Sequence, residues 1–311
     1  MAYDSSLVDG GIERLVETYD NAPALIFSSA YPFVTSSDKG YVLKRPDLPL
    51  YMMDRSPESG RVKDIKRLKE LKKSKWILVG EQLQINLQSL ELMDEAALVL
   101  KLSDGSPLKA GGYSTDIPSS ASMIGSQAHN SINRLTGTTG EPPFAPFTLD
   151  HTYYLPGLQM VIFALFNEAM VELEKVTEGL RRIGSFGFGK DSSTGKGRFN
   201  VIGSYEIEKP CFEGAHGIYC LGPCLPKAGT FNDVYYKPFV RFGRHGDRLA
   251  TSSKPFKNPV LMADEGAIFL SVDTHTLGEP YFGQSVTGVS DAMDKAVTQG
   301  YSICLPVKTE Q

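Results

Sequence analysis

The stretch RRIGSFGFGKDSSTGKGRFNV, residues 181–201, has the composition of a loop that binds phosphate. It holds five glycines, three arginines and two lysines, and Asp191 is its one acidic residue. Glycine lets a backbone approach a ligand closely and adopt positive φ, and clustered cations attract anions. The candidate phosphate-binding residues are Gly187, Gly189, Lys190, Ser192, Ser193, Thr194, Gly195, Lys196, Gly197 and Arg198.

Two phosphate-binding motifs of known mechanism do not fit this loop. A Walker loop needs four residues between its glycines and a hydroxyl after its lysine, but Gly189 and Gly195 bracket five residues and Gly197 follows Lys196. A dinucleotide fingerprint needs other glycine spacings and opens a helix, whereas this loop follows a predicted one. The pattern therefore favours a basic clamp for a polyanionic backbone.

A second polar stretch, AHNSINRLTGTTG, offers side chains that bond to phosphate or sugar oxygens without reading a base. It lies in a segment from Ser103 to about His151 that is rich in Ser, Thr, Gly and Pro and lacks apolar periodicity. The composition fits a long functional arm and equally a flexible surface loop. The candidate contacts are His129, Asn130, Asn133, Arg134 and Thr136.

Four residues with zinc-ligand side chains lie within 14 positions, Cys211, His216, Cys220 and Cys224. Their spacing lacks the tight C-x2-C pair of zinc knuckles and ribbons. The alternative is that the cysteines are small buried apolar residues beside a turn. We retain the four as a weak candidate metal site and expect no metal and no cofactor.

Four histidines could act in metal-independent RNA cleavage, in which a base deprotonates the 2′-hydroxyl and an acid protonates the leaving oxygen: His129, His151, His216 and His245. Nothing in the sequence pairs them, and a lone histidine is more often structural than catalytic. The sequence therefore predicts no catalytic residues and no enzyme activity, with an endoribonuclease as the alternative.

Charge and apolar patterning set the class of protein. The chain has 311 residues and a net charge of −4, so any nucleic-acid surface must be local. The longest apolar stretch, residues 157–166, is too short to span a bilayer, and no basic leader opens the chain. Four cysteines fit a reducing compartment. We therefore expect a cytoplasmic protein.

Several elements of the first half follow from apolar spacing. A short helix is predicted from Ile12 to Tyr19, then strands in PALIFSSAYPF and WILVG. Between these strands, RVKDIKRLKELKKSK predicts an amphipathic helix with eight cations and two acids. Its lysines form either a solvated helix face, which we favour, or an RNA contact.

The second half predicts a strand over 158–165, a helix over 168–182, the glycine loop and a strand over 199–207. Such a unit recurs in ferredoxin-like α+β domains, where the loop lies at the rim of the sheet. Short strands broken by Gly, Pro and Asn follow over 211–307.

Taken together, IFSSAYPF, YVLKRPDLPL, the Lys-rich helix, AHNSINRLTGTTG, GFGKDSSTGKGRF and GYSICLPV resemble one family. The chain resembles the subunit of type III-A (Csm) CRISPR effector complexes that caps the 5′ end of the guide RNA. These subunits belong to the RAMP superfamily. The resemblance runs from about Ile26 to Val307 and implies an α+β fold of ferredoxin-like (RRM-like) domains with antiparallel sheets.

The resemblance also implies a function. The chain would be a noncatalytic RNA-binding subunit in antiviral defence, with guide and target RNA, a large polymerase-like subunit and a backbone RAMP subunit as partners. The glycine loop and the HNxxxR segment would face the repeat-derived 5′ tag, with Arg134, Lys190, Lys196 and Arg198 on phosphates. The polar arm would act as a thumb against the guide–target duplex.

One departure from the family concerns the start of the chain. Only about twenty residues precede IFSSAYPF, and they hold no alternating β-branched run. We predict an N-terminal ferredoxin-like domain over 1–155 that lacks its first strand or has a shortened start, with the arm at about 103–150. A C-terminal ferredoxin-like or β-rich domain is predicted over 156–311.

Overall fold

The computed structural model describes residues 11–20, 22–34, 40–53, 61–103, 119–140, 144–189, 191–245, 247–271 and 277–309. These residues form an α+β structure of small antiparallel sheets, which confirms the predicted fold class. The helices of this part are α1 (Gly11–Thr18), α2 (Leu50–Met53), α3 (Arg61–Lys73), α4 (Glu95–Ser103) and α5 (Leu173–Phe186).

The strands of the first half are β1 (Leu25–Pro32), β2 (Gly40–Lys44), β3 (Trp76–Gly80), β4 (Ile85–Asn86), β5 (Glu91–Met93), β6 (Ser122–His129) and β7 (Phe147–Tyr154). Those that follow are β8 (Met160–Phe166), β9 (Gly217–Cys220), β10 (Asp233–Tyr235), β11 (Pro238–Arg241), β12 (Val260–Ala263), β13 (Ile268–Leu270), β14 (Tyr281–Gly283) and β15 (Tyr301–Lys308).

The largest sheet is organised around β15. Its order is β10-β13-β9-β15-β14, and β4 adds to β15 in parallel. Seven of the eight β15 residues are buried, so this strand carries apolar side chains toward both of its faces. A continuous apolar run, SICLPV, is what a strand covered on both sides requires.

The main core joins the two halves of the chain. Ile26 and Ile77 from the first half pack in one cluster with Tyr219, Ile268 and Leu305 from the second. β1 also pairs antiparallel with β8, across the predicted boundary at 155. The division into domains 1–155 and 156–311 stays a prediction, and the two parts share this core.

A polar network also crosses between the halves. The Lys44 ammonium donates to Asp264 Oδ2 at 2.9 Å and to the Glu265 carbonyl at 2.6 Å. Ser29, on β1, donates to Glu265 Oε2 at 3.1 Å. Burial raises the pKa of Glu265, and the Lys44 charge opposes that rise. The network thus fixes the turn before β13 against β1 and β2.

Most elements predicted from apolar spacing are present. The structure confirms α1, β1, the Lys-rich helix α3 and β3. The predicted strand over 158–165 is β8, and the helix predicted from 168 begins later, at Leu173. Among the described residues, no helix is both long and apolar enough to cross a bilayer.

The strand predicted over 199–207 is wrong. These residues run outside every described ladder, and Ile202 and Tyr205 are exposed. The Phe199 amide donates to the Gly184 carbonyl at 3.2 Å. Because the chain lies against the end of α5, it does not reach a sheet edge, and its apolar alternation has no ladder partner.

Candidate nucleic-acid interface

The glycine loop begins where α5 ends. The apolar stripe of α5 packs through Val176 against Ala24 and Val171. The Gly187 amide donates to the Ile183 carbonyl at 2.8 Å, and Gly187 then turns the chain at φ 103°. A glycine suits this position because few L-residues adopt such a backbone conformation.

The loop is closed at its base by two glycines. The Phe188 amide donates to the Gly197 carbonyl at 2.9 Å, which joins the two ends of the loop. A Cβ on Gly197 would lie 2.0 Å from the Phe188 carbonyl oxygen, and one on Gly187 would lie 2.2 Å from the Lys196 carbonyl oxygen. Both positions therefore require glycine for close backbone approach as well as for positive φ.

The far side of the loop is a short turn. Asp191 adopts φ 63° and precedes a 3-10 turn, Ser192–Thr194, which ends at Gly195. The Thr194 hydroxyl donates to the Asp191 carbonyl at 2.8 Å. Gly189 and Gly195 also have positive φ, but a Cβ on either would meet open space. Lys190 lies outside the described residues, and nothing further is described for the Ser193 side chain.

The segment predicted as an unstructured polar arm contains a β-hairpin. β6 and β7 pair over eight residues, from Ser122 with Tyr154 to His129 with Phe147. Most side chains of both strands are exposed. The hairpin therefore carries its polar residues on a regular ladder, and residues 104–118 and 141–143 of the predicted arm lie outside the described residues.

The candidate residues of AHNSINRLTGTTG lie at the hairpin tip. Asn133 and Thr138 form an isolated bridge, and Asn133 Oδ1 accepts the Leu135 amide at 3.0 Å. The Thr136 hydroxyl lies 2.8 Å from the Thr138 hydroxyl. Asn130 and Arg134 are exposed, and Arg134 has no partner among the described residues. The tip thus presents amide, hydroxyl and guanidinium groups to solvent.

One face of the hairpin carries a row of rings. The His129 and Phe147 rings stack, with centroids 5.4 Å apart and planes 11° from parallel. The His151 ring lies 6.4 Å from that of His129 and 6.4 Å from that of Tyr153. Alternate strand residues share a face, so these four rings and Gln127 project to the same side.

The glycine loop contacts this face. Lys196 Nζ donates to Gln127 Oε1 at 2.9 Å, across 69 residues of sequence. Arg198, two residues later, is exposed and has no partner among the described residues. We name the loop over 187–198 with the ring-bearing face of β6 and β7 the loop–hairpin surface. Two stretches singled out separately in the sequence therefore meet.

Exposed rings add to this surface. The Phe186 and Phe188 side chains, at the junction of α5 and the loop, are 77% and 74% exposed. Aromatic rings beside cations are the groups that stack bases and hold phosphates of single-stranded RNA. Neither phenylalanine was predicted as a site residue, although both stand between the glycines of the loop.

The structure pairs histidines that the sequence left unpaired. His129 and His151 are 22 residues apart, and the hairpin register brings their rings together. The Nε2 atoms of both are buried and without a hydrogen-bond partner among the described residues. His245 is buried with Nε2 2.7 Å from the Ser290 hydroxyl, and His216 Nδ1 accepts the Thr309 amide at 3.3 Å.

The four candidate zinc ligands are not assembled as a group. Cys220 Sγ lies 3.7 Å from Cys224 Sγ and 4.0 Å from Cys304 Sγ, inside a buried apolar cluster. Cys211 is exposed. Burial raises the pKa of the Cys220 thiol, which disfavours the thiolate that a metal needs. Within the described ranges, no three His, Cys, Asp or Glu residues could hold a metal ion.

The lysines of α3 stay open to both interpretations. Lys66, Lys69, Lys72 and Lys73 are exposed, as a solvated helix face requires. The same exposure would serve an RNA contact. The preference for a solvated face stays a prediction.

Comparison with known proteins gives the fold a context. No protein-family model matches the chain, and no curated protein matches it. A chain of the "Csm3-Csm4 subcomplex in the type III-A CRISPR-Cas interference complex" matches with a TM-score of 0.54 and 13% identity, covering 96% of this chain and 87% of that chain. This likeness confirms the fold that the sequence resemblance implied.

Two further solved structures match less well. Both are of a Csm1-Csm4 cassette, one in complex with pppApA and one with AMPPNP. Each has a TM-score of 0.46 and covers 96% of this chain and 84% of the other, with 14% and 15% identity respectively.

Proposed function

We propose that this chain is an RNA-binding structural subunit of a type III-A CRISPR effector complex. It anchors the repeat-derived 5′ tag of the guide RNA and links the large polymerase-like subunit to the filament of backbone subunits. It acts by positioning RNA in antiviral defence, in the cytoplasm, and makes or breaks no bond. The fold likeness and the sequence resemblance point to the same class of complex.

The contact between Lys196 and Gln127 carries the proposal. It places the cationic glycine loop against the hairpin that bears the HNSINRLTG segment. A loop cation held at the side of a row of rings suits a single-stranded nucleic acid, whose phosphates meet the cations while its bases stack. The loop–hairpin surface therefore offers both kinds of contact.

Charge favours a local site over a general one. The whole chain is acidic, with a net charge of −4. The stretch 181–201 has five cations and one acid. Because phosphate contacts supply most of the sequence-independent affinity for nucleic acid, binding should concentrate at this stretch. Arg134 at the hairpin tip extends the cationic path.

Partner surfaces follow from exposed apolar groups. Leu135 at the hairpin tip is 97% exposed, and Ile132 is 58% exposed. Large apolar side chains at a projecting tip are costly in water unless a partner covers them. We assign this tip to the assembled complex, where it would lie against the guide–target duplex or a neighbouring subunit.

The alternative, a metal-independent endoribonuclease, gains one observation from the structure. His129, His151 and Tyr153 lie in a row on one face, as an acid–base pair would require. The buried Nε2 atoms count against it, because RNA cannot exchange a proton with an atom that it cannot reach. We therefore assign the rings to stacking.

A cleavage assay separates the two functions. We expect the purified chain to bind end-labelled repeat RNA and to leave its length unchanged, with magnesium or with a chelator. The electrophoretic mobility of the RNA reports binding, and a denaturing gel reports new ends. Cleavage that is lost in His129→Ala and His151→Ala, but kept in the control His216→Ala, would establish the endoribonuclease instead.

A further inference from the structure

A small cavity lies away from the loop–hairpin surface, beside the end of β11. Its volume is about 130 Å³. The β11–β12 ribbon supplies Arg241, Gly243 and Lys257 to its lining, and Thr298 and Gln299 close it from the other side. None of these residues belongs to the proposed guide-binding site.

Backbone pairing builds the cavity. Arg241 ends β11 opposite Val260, and the Lys257 amide donates to the Gly243 carbonyl at 2.8 Å. Alternate residues of an extended chain share a face, so Arg241 and Gly243 turn the same way. A Cβ on Gly243 would touch the Lys257 stem at 3.5 Å, which shows how closely that stem lies against the ribbon. The cavity wall is thus part of regular structure.

The lining is cationic and holds no carboxylate. Arg241 and Lys257 have no hydrogen-bond or ion-pair partner in the part of the chain that the structure describes. Neighbouring cations differ, since Lys254 pairs with Asp291 at 2.8 Å and Lys237 with Asp47 at 3.2 Å. Asp291 also accepts a bond from Asn258 at the cavity rim.

Arg241 carries its charge partly out of water. Its side chain is half-buried, and burial lowers the pKa of its guanidinium. A charge removed from water without a counter-charge is costly, and an anion in the cavity would offset that cost. The guanidinium fork and the Lys257 ammonium are the two side-chain types that hold phosphate in proteins.

Size limits the ligand. About 130 Å³ equals the share of about four water molecules in the liquid. Pockets that enclose a drug-sized ligand are larger, from about 300 Å³. The cavity therefore suits a single tetrahedral oxyanion with a hydroxyl and an amide as further donors, here Thr298 and Gln299.

We propose that the cavity between Arg241, Lys257 and Thr298 is a phosphate-binding site. Its occupant is a phosphate group, either free inorganic phosphate or a phosphodiester of bound RNA. The site stands apart from the loop–hairpin surface and does not rest on the function proposed for that surface. Its failure would leave the guide-binding assignment intact.

The test compares two variants with a matched control. Arg241→Gln and Lys257→Gln each remove one cavity cation, and Lys254→Gln removes one that is already paired outside the cavity. Inorganic phosphate is titrated into each full-length protein by calorimetry, against chloride at equal ionic strength. A single-stranded RNA lacking terminal phosphate is titrated in a second arm by fluorescence anisotropy.

We expect phosphate binding to weaken about tenfold in Arg241→Gln and in Lys257→Gln, and to stay unchanged in Lys254→Gln. A parallel loss in the RNA arm identifies a phosphodiester as the occupant. RNA affinity that stays unchanged identifies free phosphate. If Arg241→Gln does not fold, Lys257→Gln decides. Phosphate heat equal to that of chloride, or equal phosphate affinity in Lys257→Gln and Lys254→Gln, would overturn the site.

Discussion

Replacing Gly197 with alanine is expected to weaken RNA binding about tenfold or more, although no charge is lost. The new Cβ would lie 2.0 Å from the Phe188 carbonyl oxygen, and φ at this position is 67°. The loop must open, and the hydrogen bond between Phe188 and Gly197 breaks. Lys196 and Arg198, on either side, then leave their places, and each lost charge-assisted contact costs about 1.5–3 kcal/mol.

Gly195→Ala is the matched control. Gly195 also has positive φ, 87°, but a Cβ there meets nothing within 4 Å. It shares the conformational strain of Gly197→Ala, of order 1 kcal/mol, without the clash. Fluorescence anisotropy with a labelled tag RNA measures both, and thermal unfolding checks the fold. Equal affinities of the two variants would show that the closed base of the loop plays no part in binding.

Neutralising three cations should flatten the salt dependence of RNA binding. Each phosphate contact to single-stranded RNA contributes about 0.7 to the slope of log K against log salt. The triple variant with Lys196→Gln, Arg198→Gln and Arg134→Gln should therefore lose about 2 from the slope. At low salt its affinity should fall by far more than tenfold, because counterion release is the main source of that affinity. Lys190, outside the described residues, is predicted to contribute likewise.

The control for this series is Arg182→Gln. Arg182 ends near the same loop but pairs with Glu178 at 2.9 Å within α5, so its charge is already engaged. The same charge change should leave the slope within about 0.2 of the wild type, since no phosphate contact is lost. Binding isotherms at several salt concentrations give the slopes. A triple variant with the wild-type slope would identify the loop as a structural turn.

Sequence patterns predicted elements that bury one face and missed those that do not. α3 and β3 announce themselves by apolar spacing, and the glycines mark the closed loop in advance. The hairpin of β6 and β7 buries neither face, so its strands lack the apolar alternation by which a strand is recognised. Residues 199–207 show the converse, because alternation alone cannot supply a neighbouring edge.

Half of the candidate site could be predicted from residue types. The cations and glycines of the loop stand in one stretch, and His129 and Arg134 in another. Their meeting through Lys196 and Gln127 depends on contacts 69 residues apart, and the approach of His151 to His129 depends on the register of the hairpin. Register follows from a buried face or a tight turn, and this hairpin has neither.

The RNA bound to this chain tests the central claim most directly. The intact chain would be purified from cells that express it with the other subunits of its effector complex and a CRISPR array, and the bound RNA sequenced from its 5′ end. We predict small RNAs that share one repeat-derived 5′ sequence and differ beyond it. Bound RNAs with varied 5′ ends, or an assembled complex in which this chain contacts no RNA, would contradict the account.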